Sequence, residues 1–258
     1  MEAFAVPRGR LGFTLIETLV TVAVMATLIG ILLPALSGVR EAGRSVICES
    51  ALRGIAYDFV MFADPQIGGP RGDDPQKYGR NHFSLETFIE SQYGLDEFWQ
   101  HGSDSLVTRP RSSSDPLRCP DVRGELKMRR DVPCHEGALT PSASVSFGFN
   151  SRLLYAEVTL PNGQPRIREA QLSVAVLSEP SVPLVMDIDG QIAASRGLDP
   201  SFCAPSLDSL GPYADDHYWF PSHRHNGNCH AALIDGSVHA KRDLIAQTSW
   251  AWDYQPIH

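Results

Sequence analysis

The sequence predicts an α+β protein in which one long N-terminal helix, apolar in its first half, packs against an antiparallel β-sheet domain. Residues 13–33 carry a single formal charge, Glu17. A helix of that length can cross about 30 Å of hydrocarbon, because it rises about 1.5 Å per residue. After residue 63 the chain is rich in proline and glycine between short β-type runs. That pattern is typical of a loop-rich domain that contains strands.

Composition excludes some classes of function. The 258-residue chain has a net charge of −8, and this acidity argues against a nucleic-acid partner. The sequence contains no G-x-S-x-G, no P-loop, no H-E-x-x-H and no G-x-G-x-x-G, which are common catalytic or nucleotide-binding motifs. We therefore predict that the protein is not an enzyme.

The first 63 residues divide into a leader and a helix. Residues 1–12 form a leader whose Arg8 and Arg10 favour a cytoplasmic N-terminus. The helix is predicted over residues 13–63 and is expected to be transmembrane over residues 13–33.

The second half of the helix is expected to support the domain formed by residues 64–258. Pro34 should kink the helix, because it removes a backbone donor. Beyond it, apolar residues recur at helical spacing. This predicted stripe consists of Leu36, Val39, Gly43, Ile47, Leu52, Ile55 and Phe59.

Glu17 is the unusual residue of the apolar segment. A carboxylate there is costly unless it has a partner. A cut after Gly12 would give Phe13 a new α-amino group one helical turn away from Glu17. In a stack of helices, the amine of one subunit could then meet the carboxylate of the next.

The segment Gly-Phe-Thr-Leu-Ile-Glu at residues 12–17 resembles the signal of type IV prepilins and type II secretion pseudopilins. The resemblance implies a pilin-like fold and cleavage after Gly12 by a prepilin peptidase, which also methylates Phe13. It further implies that Glu17 acts in fibre assembly, and Pro34 stands where many pilins carry a helix-kinking proline.

The alternative interpretation of this segment is an ordinary signal anchor or a secretory signal peptide. A secretory signal would have a shorter apolar core and a small-x-small cleavage site at its far end. Ala26, Gly30 and Ala35 provide only loose versions of such a site.

Secondary structure in the domain is predicted from local patterns. A helix is expected within residues 83–99 with Ser84 as a possible N-cap, and Pro-Asn-Gly-Gln at 161–164 is a turn signal. Residues 64–80, 101–142 and 196–216 are expected to be linker or loop. The strand candidates are residues 144–149, 153–160, 173–177 and 183–187.

The last strong element is a predicted hairpin. Asp235-Gly236 lies between two strand-like runs and favours a two-residue loop. That register would place Leu233 opposite Val238, and Ala231 opposite Ala240, on an apolar face toward the long helix.

His225, nine further residues and then Asp235-Gly236 resemble the H-X9-DG motif of prepilin-like proteins abundant in planctomycete-type bacteria. Cys119-Pro120 and residues 146–150 resemble other segments of that group, as do residues 180–187. Ser237 and Ala51 depart from it, since His and Asn are common at those places. The resemblance implies a fold and assigns no chemistry to the motif.

Five cysteines leave at least one thiol unpaired within the chain. Cys119 with Cys134 is a candidate disulfide and Cys203 with Cys229 a weaker one. Cys48 is the candidate free thiol, and the connectivity stays open.

The sequence predicts no cofactor, and a metal site is the alternative. His223, His225, His230 and His239 are candidate zinc ligands, although their spacing is not a standard one. The competing interpretation is structural: His225 hydrogen-bonds backbone or Asp235.

Asp187-x-Asp189-Gly190 could begin a calcium loop. Leu198 stands where an EF-hand requires an acid, so a plain turn with Asx hydrogen bonding is the competing interpretation.

Two functions remain open. The first is a structural subunit of a type IV pilus or type II secretion pseudopilus, anchored once in a bacterial inner membrane with its domain in the periplasm or on a surface fibre. Its partners would be other pilin subunits, the prepilin peptidase and the assembly platform. The second is a membrane-tethered module that binds a metal or glycan and uses the signal mainly as an anchor.

Overall fold

A computed structural model describes residues 14–68, 82–93, 97–99, 107–110, 117–122, 127–129, 138–140, 142–196, 201–202, 219–247 and 249–256. The chain forms two compact units, Met1–Gly43 and Arg44–His258. The predicted linker at 64–80 and the loop at 196–216 lie largely outside the described residues.

Helix α1 spans Leu15–Ala63 and continues through Pro34. It ends just before Pro65, as expected, because the residue before a proline avoids the α region. The large apolar side chains of residues 15–33 are exposed, from 51% at Val24 to 79% at Leu15. Within the described part of the chain, α1 is the one helix long and apolar enough to cross a membrane.

The buried stripe of α1 differs from the predicted stripe in its first half. Leu52, Ile55 and Phe59 are fully buried as predicted, whereas Ile47 is 57% exposed. The reason is angular: the five-residue step from Ile47 to Leu52 turns the helix about 140° past one full turn. Cys48 takes the buried place instead. Leu36 and Val39 are also exposed.

The remaining elements are short. Within the described residues, the other α-helices are α2 (Pro65–Gly68), α3 (Leu85–Tyr93), α4 (Ser151–Leu154) and α5 (Gly190–Ser195). The strands are β1 (His82–Phe83), β2 (Glu97–Trp99), β3 (Val107–Pro110), β4 (Lys127–Arg129), β5 (Ala138–Thr140), β6 (Phe147–Phe149), β7 (Tyr155–Thr159), β8 (Pro165–Glu169), β9 (Leu172–Ser173), β10 (Pro183–Asp187), β11 (Cys229–Leu233) and β12 (Val238–Lys241).

The central sheet has the order β12-β11-β10-β6, and all its neighbours are antiparallel. Strands β10 and β11 are buried along their whole length. Their side chains share one core with the C-terminal part of α1, including Phe59. The α+β prediction, a long apolar N-terminal helix with antiparallel sheets, is confirmed.

The described residues also form a second four-stranded sheet, β2-β5-β4-β3, and the two-stranded pairs β1-β9 and β7-β8. The prediction of mostly loop over residues 101–142 is therefore wrong at β3, β4 and β5. Strand formation there depends on pairing partners that local propensity does not reveal.

Several local predictions are confirmed and others corrected. Strand β10 has its predicted bounds, and the turn at 161–164 joins β7 to β8. In contrast, Val174–Ser178 is a 3-10 helix whose first turn is capped by Ser173, not a strand.

The predicted helix at 83–99 is shorter in the structure. Ser84 Oγ accepts a hydrogen bond from Thr87 N at 3.0 Å, so Ser84 is the N-cap of α3 as expected. Helix α3 ends at Tyr93, and residues 97–99 form β2 instead.

The β11–β12 hairpin has a three-residue loop, not the predicted two-residue loop. Gly236 N donates to Leu233 O, Leu233 N donates to Ser237 O, and Gly236 has φ of 84°. This is a turn closed by a left-handed residue, the usual form of a three-residue hairpin loop. The register moves by one, so Ala232 pairs with Val238, Ala231 with His239 and His230 with Ala240.

That shift changes which residues of the two strands share a face, because adjacent residues of a strand point to opposite faces. His230, which was assigned to the opposite face, contacts Ser45 and Glu49 of α1. His239 lies on the other face, so the prediction that His230 and His239 share a face is wrong.

Candidate functional site

The start of α1 is closed by a reciprocal pair of residues. Glu17 Oε2 accepts hydrogen bonds from Thr14 N and Thr14 Oγ1, each at 2.8 Å. Glu17 N donates back to Thr14 Oγ1 at 3.3 Å. This is a capping box, and its T-x-x-E pattern was readable in the sequence. Gly12 and Phe13 lie outside the described residues.

A buried polar cluster lies in the second unit, between α1 and the central sheet. Its four members, which we call the Cys48 cluster, are Cys48, Cys119, Asp187 and His225. All four residues are buried, and one potential ligand atom from each lies within 4.8 Å of the other three.

Each member comes from a different part of the fold. Cys48 opens the buried stripe of α1, Cys119 lies in the segment 117–122, and Asp187 ends β10. His225 is placed by a tight turn before β11, where Asn228 N donates to His225 O at 2.9 Å.

The turn that places His225 has a simple sequence cause. Asn226 and Gly227 have φ of 52° and 78°, and Asn-Gly is the favoured pair for such a two-residue turn. This Asn-Gly signal was readable in the sequence and was missed.

Three distances define the cluster. Asp187 Oδ2 lies 3.2 Å from His225 Nε2, and His225 Nε2 lies 3.3 Å from Cys119 Sγ. Cys48 Sγ is 3.7 Å from Asp187 Oδ2. One nitrogen, one oxygen and two sulfurs therefore converge on a small volume.

The electrostatics of the cluster are set by burial and by these contacts. Burial opposes ionisation of Asp187, yet hydrogen bonds from His225 and His230 and the Arg224 charge lower its pKa to about 2. Hydrogen bonding from Cys48 lowers the pKa of Cys119 to about 6.

The pKa values of His225 and Cys48 are raised instead of lowered. Burial lowers the pKa of His225, but its contacts with Asp187 and Cys119 raise it to about 10. Cys48 donates to Cys119, and this together with burial raises the pKa of its own thiol.

A second layer of charged groups surrounds the cluster. Arg224 pairs with Asp187 Oδ1, and His230 Nδ1 lies 3.6 Å from Asp187 Oδ2. On the outer side of the ring, His225 Nδ1 lies 3.2 Å from Asp121 Oδ2. That distance is an ion-pair contact, and Nδ1 has no hydrogen-bond partner among the described residues.

The four candidate zinc histidines have different environments. His225 belongs to the cluster, and His230 stands next to it with ring centroids 4.5 Å apart. His223 is exposed. His239 contacts Ser237 Oγ and lies 5.3 Å from the Trp250 ring. The sequence therefore grouped four histidines of which the fold brings two together.

The two candidate calcium ligands also have separate partners. Asp187 belongs to the cluster, whereas Asp189 Oδ1 accepts from Gln191 N and Ile192 N and caps α5. This arrangement supports the turn interpretation of Asp189.

The candidate motif His225–Asp235–Gly236 is split between two places. Asp235 Oδ1 accepts from Ser237 N at 2.8 Å inside the hairpin loop, whereas the side-chain contacts of His225 are with Cys119, Asp121 and Asp187. Gly236 packs against Tyr57 of α1, whose ring would lie 3.2 Å from a Cβ at that position.

Cysteine pairing differs from the prediction. Cys119 is a free, buried thiol in contact with His225, so it does not form the predicted disulfide with Cys134, which lies outside the described residues. Cys48 is free as expected, and Cys229 is also a free thiol. Cys203 lies outside the described residues.

The comparison with known families concerns the N-terminus. A family model described as the prokaryotic N-terminal methylation motif matches residues 7–33. No curated protein and no solved structure matched the chain. The match spans the end of the leader and the apolar part of α1. It does not reach residues 225–236, so the H-X9-DG resemblance stays a prediction. The chain thus carries a prepilin-type N-terminal methylation motif, which indicates a precursor similar to type IV pilins and pseudopilins.

Proposed function

We propose that the protein is a structural subunit that is cut after Gly12, methylated at Phe13 and assembled into a type IV pilus or type II secretion pseudopilus. The observation that carries the proposal is the methylation motif matched over residues 7–33. The motif favours a structural role over an enzymatic one, since it directs processing of the chain itself.

The exposed apolar part of α1 supports anchoring and assembly. No side chain of its most hydrophobic window is buried within the chain, so these side chains require lipid or other subunits around them. In the proposed topology the leader faces the cytoplasm and the domain lies across the inner membrane.

Glu17 is the residue that distinguishes assembly from simple anchoring. In a fibre, its carboxylate would pair with the amine of Phe13 from a neighbouring subunit. Losing one partner of a buried ion pair commonly costs about 3–5 kcal/mol, and the loss would recur with each added subunit. A membrane-tethered module has no need of this pair.

The capping box provides a control for this test. Glu17→Leu removes both the charge and the cap, whereas Glu17→Gln removes the charge and keeps a side chain that can cap. Thr14→Ala removes the cap and keeps the charge. The assembly proposal predicts that both Glu17 variants are processed but excluded from fibres, and that Thr14→Ala is incorporated.

The assay is to express each variant beside wild type in the native host and quantify processed chains in membrane and sheared-fibre fractions. Mass spectrometry should find an N-methylated Phe13 at the mature N-terminus. If Glu17→Leu enters fibres as well as wild type does, the assembly role is rejected and the tethered-module alternative is favoured. An intact Met1, or a cut near Ala35, would contradict the processing step.

A further inference from the structure

We propose that the Cys48 cluster is a structural zinc site in which Cys48, Cys119, Asp187 and His225 are the four ligands. This inference concerns the second unit and is independent of N-terminal processing. It assigns a role to His225 that neither the family match nor the histidine spacing provides.

The spacing of the ligand atoms fits a tetrahedral metal. Zinc binds Cys sulfur at about 2.3 Å and His nitrogen or carboxylate oxygen at about 2.0–2.2 Å. Two ligands of a tetrahedron are separated by roughly 1.6 bond lengths, so ligand–ligand distances of about 3.3–3.8 Å are expected from those values. Three of the six separations within the cluster are 3.2, 3.3 and 3.7 Å, and all six are within 4.8 Å.

The chemistry of the donors selects the metal. Two thiolates with one imidazole and one carboxylate suit zinc, whereas calcium and magnesium prefer oxygen donors throughout. All four residues are buried, and no position open to substrate is evident among them. A closed four-ligand site is typical of structural zinc.

The surroundings resemble the outer shell of a zinc site. A histidine that binds zinc usually directs its other ring nitrogen toward a carboxylate or carbonyl, and His225 Nδ1 faces Asp121 at 3.2 Å. The second oxygen of Asp187 pairs with Arg224, which orients the carboxylate toward the cluster.

Charge balance agrees with a divalent ion. Two thiolates and the Asp187 carboxylate carry −3, while zinc and Arg224 carry +3, and Asp121 beside His225 is paired with Arg44 at 2.9 Å. A neutral set of groups is what a buried site requires, since an uncompensated charge in the interior is very costly.

A disulfide between Cys48 and Cys119 is the competing chemistry. Their sulfurs lie within 4.8 Å of each other, and an oxidising compartment would permit the bond. A disulfide would explain why the two sulfurs are close together. It would not explain why Asp187 Oδ2 lies 3.7 Å from Cys48 Sγ and His225 Nε2 lies 3.3 Å from Cys119 Sγ. The convergence of four donors therefore favours the metal, and the experiment separates the two outcomes.

The test uses the full chain purified in detergent from host membranes without chelators. Elemental analysis should find about one zinc per chain after exhaustive dialysis. Replacement of the zinc by Co²⁺ should give thiolate-to-cobalt charge-transfer bands together with the visible bands of tetrahedral cobalt. These measurements need no variant, so they hold even if a ligand variant fails to fold.

Variants locate the site. Cys48→Ser, Cys119→Ser and His225→Asn should each lower zinc content at least several-fold and weaken or remove the cobalt bands. His223→Asn is the matched control, because His223 is exposed in the same loop, and Cys229→Ala is the control for a buried free thiol. Both controls should retain zinc.

Two results would overturn the proposal. One is a chain without zinc in which Cys48 and Cys119 resist alkylation after unfolding until a reductant is added, which identifies the disulfide. The other is zinc that the Cys48→Ser and Cys119→Ser chains retain in full.

Discussion

The packing of α1 against the sheet can be tested with two aliphatic residues of the same predicted stripe. Leu52 is fully buried and Ile47 is 57% exposed. Leu52→Ala removes apolar volume from the core and should cost about 2–5 kcal/mol of unfolding free energy. Ile47→Ala should change it by less than about 0.5 kcal/mol, since alanine also has the higher helix propensity.

These free energies correspond to measurable shifts. For a domain of this size, about 1 kcal/mol moves the melting temperature by roughly 2–4 °C. Leu52→Ala should therefore melt about 4–20 °C below wild type, and Ile47→Ala within about 2 °C of it. The measurement is near-ultraviolet circular dichroism of the full chain in detergent during heating.

The paired design makes the result decisive. If both variants melt equally far below wild type, the stripe follows the sequence pattern and the position of α1 on the sheet is wrong. If neither changes the melting temperature, α1 does not complete the core.

Three further predictions concern single turns and caps, and each is checked by thermal melting of the full chain. Gly236→Ala should lower the free energy of unfolding by about 1–2 kcal/mol because of the positive φ of Gly236. Gly236→Asn should lower it by less, since Asn tolerates that conformation. Equal losses would instead indicate that the added Cβ crowds the Tyr57 ring. Asn150→Ala should cost about 1–3 kcal/mol, because Asn150 Nδ2 donates to the Pro183 carbonyl at 2.9 Å inside the core; a neutral result would mean that water replaces the amide. Asp189→Ala should cost about 1 kcal/mol as a lost N-cap, equally with calcium and with a chelator, whereas a calcium-dependent difference would revive the calcium loop.

Local signals in the sequence were sufficient for several elements. The length and apolarity of residues 13–33 predict the start of α1, and Ala63-Asp64-Pro65 predicts its end. Ser84 predicts the N-cap of α3, and the apolar run at 183–187 predicts β10. These features depend on neighbours within a few residues, so no tertiary information is needed.

The candidate site was only half predictable from sequence. His225 and Asp187 were both identified in the sequence, but His225 was named as a candidate zinc ligand and Asp187 as part of a candidate calcium loop. Cys48 and Cys119 were assigned to a free thiol and to a disulfide. Asp187 is separated from Cys48 by 139 positions and His225 from Cys119 by 106, and no spacing rule connects residues so distant.

What the sequence determined by itself is the N-terminal signal, because a peptidase motif and an apolar segment are local properties of the chain. What only the tertiary structure decided is which polar residues meet. The one-residue shift of the β11–β12 register puts His230 and His239 on opposite faces of the hairpin, because side chains alternate along a strand. The rotation of α1 buries Cys48 in place of Ile47, because each residue advances the helix by about 100°.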